Sequence, residues 1–158
     1  YFSSKEELLV AVFDEFLGPV VELPRAGVER EQGAREKLIR LVALGLDLME
    51  ENPDSAKIFL SQLRQSTAMI KMVAKRSSRA YKDIIEDVLS EGIRAGVFRE
   101  MNAATIASIL FGAFQMAVLD WVAEDCAYSL KDSTAALSDF VLHGVENVPQ
   151  REQPSTSI

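Results

Sequence analysis

Apolar and polar positions repeat at helical spacing through most of this chain, and the longest such pattern runs from Ser66 to Phe98. At about 100° per residue, Ile70, Val73, Ala74, Ser77, Tyr81, Ile84, Val88 and Ile93 share one broad apolar stripe. Lys71, Lys75, Arg79 and Lys82 fall on a neighbouring arc. The helix so predicted has an oily inner face and a cationic flank, which suits a molecule with a hydrocarbon tail and an anionic head. The pattern by itself describes a core helix with solvated lysines at least as well.

The same periodicity assigns the other elements. Ser4 and Glu7 form a capping box, and Leu8, Leu9, Val12, Phe13 and Phe16 give an amphipathic helix expected to stop at Gly18-Pro19. Val20 to Gln32, with Pro24, Gly27 and several acids, reads as a loop. A helix from Gly33 to Asn52 presents Leu38, Ile39, Val42, Leu46 and Met49. Gly45 in its middle costs about 1 kcal/mol relative to alanine; a tight helix crossing or room for a ligand would each account for it. A short helix from Asp54 to Gln65 carries Ile58, Phe59, Leu60 and Leu63 and places Arg64 at the corner before the long helix. An arginine there serves the last carbonyls of one helix or reaches an anion at the start of the next. Gly96 supplies the left-handed cap that ends the long helix.

Asn102 caps a helix running to about Glu124. Ala104, Ser108 and Gly112 make a small-residue stripe on it, roughly opposite Leu110, Phe114, Val118 and Trp121. The large face can meet the chain's own core, whereas the small face needs a partner. Asp132 is expected to cap a final helix in which Ala136-Leu137, Phe140-Val141 and Gly144-Val145 recur four apart. Beyond Asn147 the prolines and the Ser-Thr-Ser run read as a disordered tail, residues 148–158. The fold class is therefore all-α, with about six helices.

Composition narrows the function. A chain of 158 residues suffices for one domain with a substantial core. Its net charge of −7 repels nucleic acid, so any DNA contact must come from a local patch or from residues outside this sequence. The single cysteine, Cys126, excludes an internal disulfide. No signal peptide and no apolar run of membrane-spanning length is seen, which points to a cytoplasmic protein without a membrane partner. The lone His143 lies near a helix end. No glycine-rich phosphate loop and no metal-ligand spacing occurs, so no enzymatic activity, metal or resident cofactor is expected.

The opening Tyr1-Phe2-Ser3-Ser4-Lys5-Glu6-Glu7-Leu8-Leu9 resembles the junction that closes the helix-turn-helix domain of TetR-family repressors. Leu63-Arg64-Gln65-Ser66 is similar to a stretch of the FadR-like branch, whose members respond to long-chain acyl-CoA and control fatty-acid degradation. Glu91 to Arg99 and Asp120-Trp121 support the same resemblance more loosely. It implies that residues 1–4 are a remnant of a DNA-binding domain absent from this sequence, with Lys5 and Tyr1 as phosphate contacts. It implies that residues 5–147 bind effector and dimerise, the last two helices of each subunit forming a four-helix interface.

Candidate effector contacts are Phe59, Leu63, Ile70, Val73, Tyr81, Ile84, Phe111, Phe114 and Trp121, with Arg64, Lys75, Arg76, Arg79 and Lys82 for an anionic head. Candidate interface residues are Ala104, Ser108, Gly112, Leu137, Phe140, Val141 and Gly144. Three readings stand: a repressor releasing operator DNA on binding acyl-CoA, a repressor sensing another hydrophobic molecule, and a ligand-free helical interaction module.

Overall fold

The computed structural model describes residues 4–61 and 68–147, which form six helices. These are α1 (Lys5–Glu29), α2 (Ala34–Glu51), α3 (Pro53–Ser61), α4 (Ala68–Arg94), α5 (Ala103–Ala123) and α6 (Asp132–Val145). α1 packs on α2 and α4, α2 also meets α4 and α6, and α5 lies across α3 and α4. The expected tail, the remnant residues 1–3 and the corner 62–67 lie outside the described residues.

The largest departure from expectation is α1. The predicted stop at Gly18-Pro19 is absent, one helix continues through Pro19 and Pro24 to Glu29, and the loop expected over 20–32 shrinks to residues 30–33. Each proline removes a ladder hydrogen bond and costs a helix interior about 3 kcal/mol. Against that, Val20, Val21, Pro24 and Val28 are buried at helical spacing, and each valine gains roughly 1.5–3 kcal/mol by burial. The acids that suggested a loop, Glu22 and Glu29, lie on the exposed side. Gly27 lets α2 come close: a Cβ there would strike Leu44. At the other end Ser4 Oγ accepts from the Glu7 N–H at 3.1 Å, as the capping pattern predicts.

α2 spans the expected range, between Gly33 and Asn52. α4 turns Tyr81, Ile84, Ile85, Val88 and Leu89 into the core. It ends as anticipated on Gly96, at φ +72°, after which Phe98 folds back over Gly92, where a Cβ would meet its ring. The turn then pairs with the end of α6, Arg99 N–H donating to Val145 O at 2.9 Å and Asn147 N–H to Val97 O at 3.0 Å. Lys37 reaches across from α2 to Glu91 of α4 at 2.6 Å, with the lysine largely covered.

Asn102 caps α5, its side chain accepting from Thr105 N–H at 2.8 Å. This helix corrects the expectation that no apolar run is of spanning length: Ala103–Ala123 is long and apolar enough to cross a membrane by length and composition. Its apolarity serves two opposite faces. Ala107, Phe111, Phe114, Val118 and Trp121 are buried, while Ile109 and Met116 are 57% and 55% exposed. The start of α6 also differs, since Asp132 sits in the first turn and Lys131 occupies the cap position. The corner is held from α2 instead. The Glu50 carboxylate accepts from Lys131 N–H at 2.8 Å and from Ser129 Oγ at 3.0 Å. Nothing local in the sequence announces that contact, which spans 81 residues.

Candidate functional site

Three aromatic rings converge at the centre of the domain. Tyr81 of α4 stacks on Phe114 of α5 with centroids 5.6 Å apart and planes at 16°, and Phe111 lies 5.7 Å from Tyr81. Offset arrangements of this kind add about 0.5–1.5 kcal/mol beyond area burial. The Tyr81 hydroxyl donates to the Leu41 carbonyl of α2 at 3.2 Å. Burial alone pushes its pKa well above that of free tyrosine, because the phenolate would be stranded in an apolar medium. Gly45 sits one turn along α2 from Leu41, and a Cβ there would lie 2.5 Å from the Tyr81 oxygen and 2.9 Å from the Phe114 ring. Of the two readings of Gly45, the structure shows the tight crossing: two aromatic side chains press against bare backbone.

Beside this cluster is a cavity of about 20 Å³ lined by Leu38, Leu41, Val42, Tyr81, Ile85, Leu110, Phe114, Leu137 and Val141. A water needs two or more polar partners. The lining offers only the Tyr81 hydroxyl, already engaged with Leu41. A void of this size forfeits about 0.5 kcal/mol of packing, so the core is nearly, but not fully, closed.

The structure sorts the expected effector contacts. Tyr81, Phe111 and Phe114 are brought together, and Ile84 is buried on the same helix. Trp121 is also buried, but its indole N–H donates to Tyr128 O at 2.8 Å and it does not line the cavity. Lys75, Arg76 and Arg79 are exposed on α4, N-terminal to Tyr81, and Lys82 is half-buried. Leu63 and Arg64 lie outside the described residues, as do the side chains of Phe59, Ile70 and Val73. Sequence reasoning missed Leu41, Ile85 and the inward roles of Leu137 and Val141. The available signal was the spacing of Leu38, Leu41 and Val42 about Gly45, which aims all four at one crossing.

The expected interface residues divide. Ala104, Ser108, Gly112, Phe140 and Gly144 are exposed, and a Cβ added at Gly112 or Gly144 would meet nothing within 4 Å. Val141 is instead buried in this chain's own core, and Leu137 packs against that core. α6 is held to α2 through the Val141 side, so only one member of each adjacent pair can face outward. Between α5 and α6 runs an open groove of about 520 Å³. Phe140, 71% exposed, and Ile109 stand on it, with Arg99, Asp139 and His143 among its polar members. Tyr1 lies outside the described residues, and Lys5 opens α1 with its side chain likewise undescribed.

The described residues thus form six helices around an apolar, aromatic centre, with an open groove along the last two. The chain belongs to the TetR family: residues 13–144 match the family model described as YsiA-like protein, C-terminal region. It is 25% identical over 148 residues to the fatty acid metabolism regulator protein of Bacillus subtilis, covering 93% of this chain and 76% of that protein. Among solved structures it is similar to the fatty acid degradation regulator FadR of Bacillus halodurans. There the TM-score is 0.82 and the identity 26%, over 91% of this chain and 75% of that one. It is also similar to FadR of Bacillus subtilis in complex with stearoyl-CoA, with TM-score 0.80 and identity 25%, over 92% and 79% of the two chains. The relatives are transcriptional regulators and not enzymes.

Proposed function

We propose that residues 5–147 are the effector-binding and dimerisation domain of a cytoplasmic repressor that senses long-chain acyl-CoA and then releases the operator DNA of fatty-acid metabolism genes. The observation that carries this reading is the adjacency, on α4, of an apolar aromatic interior and the exposed cations Lys75, Arg76 and Arg79. A relative of like fold binding stearoyl-CoA supports it. Burying an acyl chain gains about 0.8 kcal/mol per methylene, so a long chain supplies roughly 8 kcal/mol or more before association costs. The cations, with Arg64, add charge-assisted bonds to the phosphates of CoA. Phe59, Leu63, Ile70 and Val73, whose side chains lie outside the described residues, are proposed as further contacts to the acyl chain.

Operator contacts come from a helix-turn-helix preceding this sequence, with Tyr1 and Lys5 at its junction, and a second copy of the chain docks through α5 and α6. Effector needs only to favour one placement of the paired DNA-binding heads by a few kcal/mol. Calorimetry with a long-chain acyl-CoA and the matching free fatty acid tests this. The CoA ester binds more tightly, loses that advantage with added salt, and loses it again in Arg79→Ala. Equal affinities would assign a general hydrophobic effector; no binding of either would leave an interaction module.

A further inference from the structure

We propose that α6 is a latched helix: its N-terminal half lifts from α2 about a pivot at its C-terminal end while α1 to α5 stay folded, and a second copy docked on its outer face holds it down. The docking half of this rests on the subunit interface proposed above. The inner face of α6 carries the argument. At helical spacing it presents Thr134, Ser138, Val141, Leu142 and Val145. The last three are buried hydrocarbon. Thr134 Oγ1 and Ser138 Oγ are also shut off from solvent, yet neither meets a hydrogen-bond partner among the described residues. Even the carbonyl four residues back, which a helix offers such hydroxyls, is not taken. Each therefore loses its bonds to water on seating and gains none. One end of the face favours the seat and the other opposes it.

The polar bonds divide the same way. The C-terminal end of α6 is tied to the turn after α4 by backbone, Arg99 N–H to Val145 O and Asn147 N–H to Val97 O. Arg99 Nε adds a bond to Gly144 O at 2.8 Å, and Arg35 of α2 reaches Glu146 at 2.8 Å. These fix the pivot. The N-terminal end has one buried apolar anchor, Leu130, and one latch, the Glu50 carboxylate on Lys131 N–H and Ser129 Oγ. Because Arg35 and Glu50 stand near opposite ends of α2, α6 lies antiparallel along that helix, its closest neighbour among the described helices. A half-helix lifted from such a seat is too short to keep its own hydrogen bonds, so lifting is read directly by amide exchange. The outer face of the same helix carries Phe140 on the open groove, and a partner seated there presses α6 back toward α2.

The test is native-state amide hydrogen exchange followed by NMR, first with wild type diluted below its dimer dissociation constant. Amides 135–138 exchange about tenfold or more faster than the core amides 84–89 of α4, and they slow when the protein is concentrated into the dimer. Thr134→Val keeps shape and helix propensity, removes one hydroxyl, and slows exchange at 135–138 by about fivefold or more; Ser138→Ala acts in the same direction. Glu50→Ala opens the latch and accelerates it by about tenfold or more. Equal protection of 135–138 and 84–89 in wild type overturns the inference. So does faster exchange in Thr134→Val, which would mean that the seat supplies the hydroxyl with a partner. A dimer whose α6 amides exchange at a rate independent of concentration overturns the docking half alone. A chain that never dimerises removes the interface reading, and wild-type protection together with Thr134→Val still decides whether the helix lifts.

Discussion

Helices α5 and α6 border two apolar spaces that could hardly differ more. The inner cavity measures about 20 Å³ and is lined by side chains from four helices. The outer groove measures about 520 Å³ and opens to solvent. Leu110 and Val141 line both, so the wall between them is one side chain thick. A space of the first size discriminates single carbons, because interiors are packed so densely that one methylene is felt. A space of the second size accommodates a helix face and discriminates by shape and, through Arg99, Asp139 and His143, by charge. The shared wall gives the proposed effector a short route to the proposed interface, since a side chain displaced inward is displaced at the groove as well.

The comparison breaks most sharply on the outer side. Phe140→Asp puts a charge in place of the most exposed aromatic ring on the groove, twice in a two-fold dimer. Truncated aromatic anchors at interface centres cost about 2 kcal/mol or more, and a desolvated carboxylate adds to that. The dimer dissociation constant rises about 100-fold or more, as read by sedimentation equilibrium. Gly112→Leu, which forces the backbones apart, acts in the same direction. A wild-type chain that is monomeric at micromolar concentration removes the groove as a subunit interface.

On the inner side the sign of one substitution is diagnostic. Gly→Ala within an exposed helix stabilises by about 0.5–1 kcal/mol. Gly45→Ala instead destabilises by about 1–3 kcal/mol, because the new methyl must displace the Tyr81 oxygen and the Phe114 ring. Urea denaturation decides it. A stabilised Gly45→Ala variant would mean that the rings do not rest on α2 as described.

Those two residues also show what was legible in the sequence. Gly112 and its stripe declared an outward face because large and small residues alternate around a single helix, a local property. Ile109 and Met116, on the exposed side too, broke the rule that outward means small, since an interface face follows its partner's shape. Val141 was placed outward because adjacent apolar pairs look alike in sequence, and only α2 decides which member turns in. α1 failed for a related reason. Pro19, Pro24 and Gly27 are local breakers, and what overrode them was burial against α2 and α4, which no local window contains. Long-range polar contacts such as Glu50 to Lys131 are invisible in principle to periodicity.

A smaller effect separates the Tyr81 hydroxyl from its ring. Tyr81→Phe keeps the stacking and removes the bond to Leu41 O, costing about 1 kcal/mol near neutral pH. Wild type carries a further signature. The folded-state pKa of Tyr81 lies above its ordinary value of 10.0. Its contribution is therefore complete below pH 10 and declines above it, as the unfolded chain ionises and the buried phenol resists. The alkaline limb of a stability–pH curve is shallower in Tyr81→Phe; identical limbs would place the hydroxyl in solvent.

The smallest expected effect is at the outer groove, where His143 titrates by the opposite physics. Tyr81 is shifted by what surrounds it, and His143 by what it touches. Its Nδ1 lies 2.9 Å from the Asp139 carbonyl, and this bond is the main cause that raises its pKa above 6.5. The Asp139 carboxylate, 3.3 Å away, adds to the shift, and Glu146 adds less. Arg99 also lines the groove, its Nε donating to the Gly144 carbonyl at 2.8 Å. A group with a raised folded-state pKa stabilises fully below its unfolded value and loses that contribution as pH rises through the folded one. The window thus begins near pH 6.5 and extends upward. Imidazole NMR titration should show the elevated pKa. Asp139→Asn should lower it only part of the way, because the carbonyl bond survives. Repeating the titration above and below the dimer dissociation constant joins this measurement to the first prediction. A second copy seated on the groove desolvates the ring and changes the midpoint with concentration, whereas a groove open to water gives one midpoint throughout.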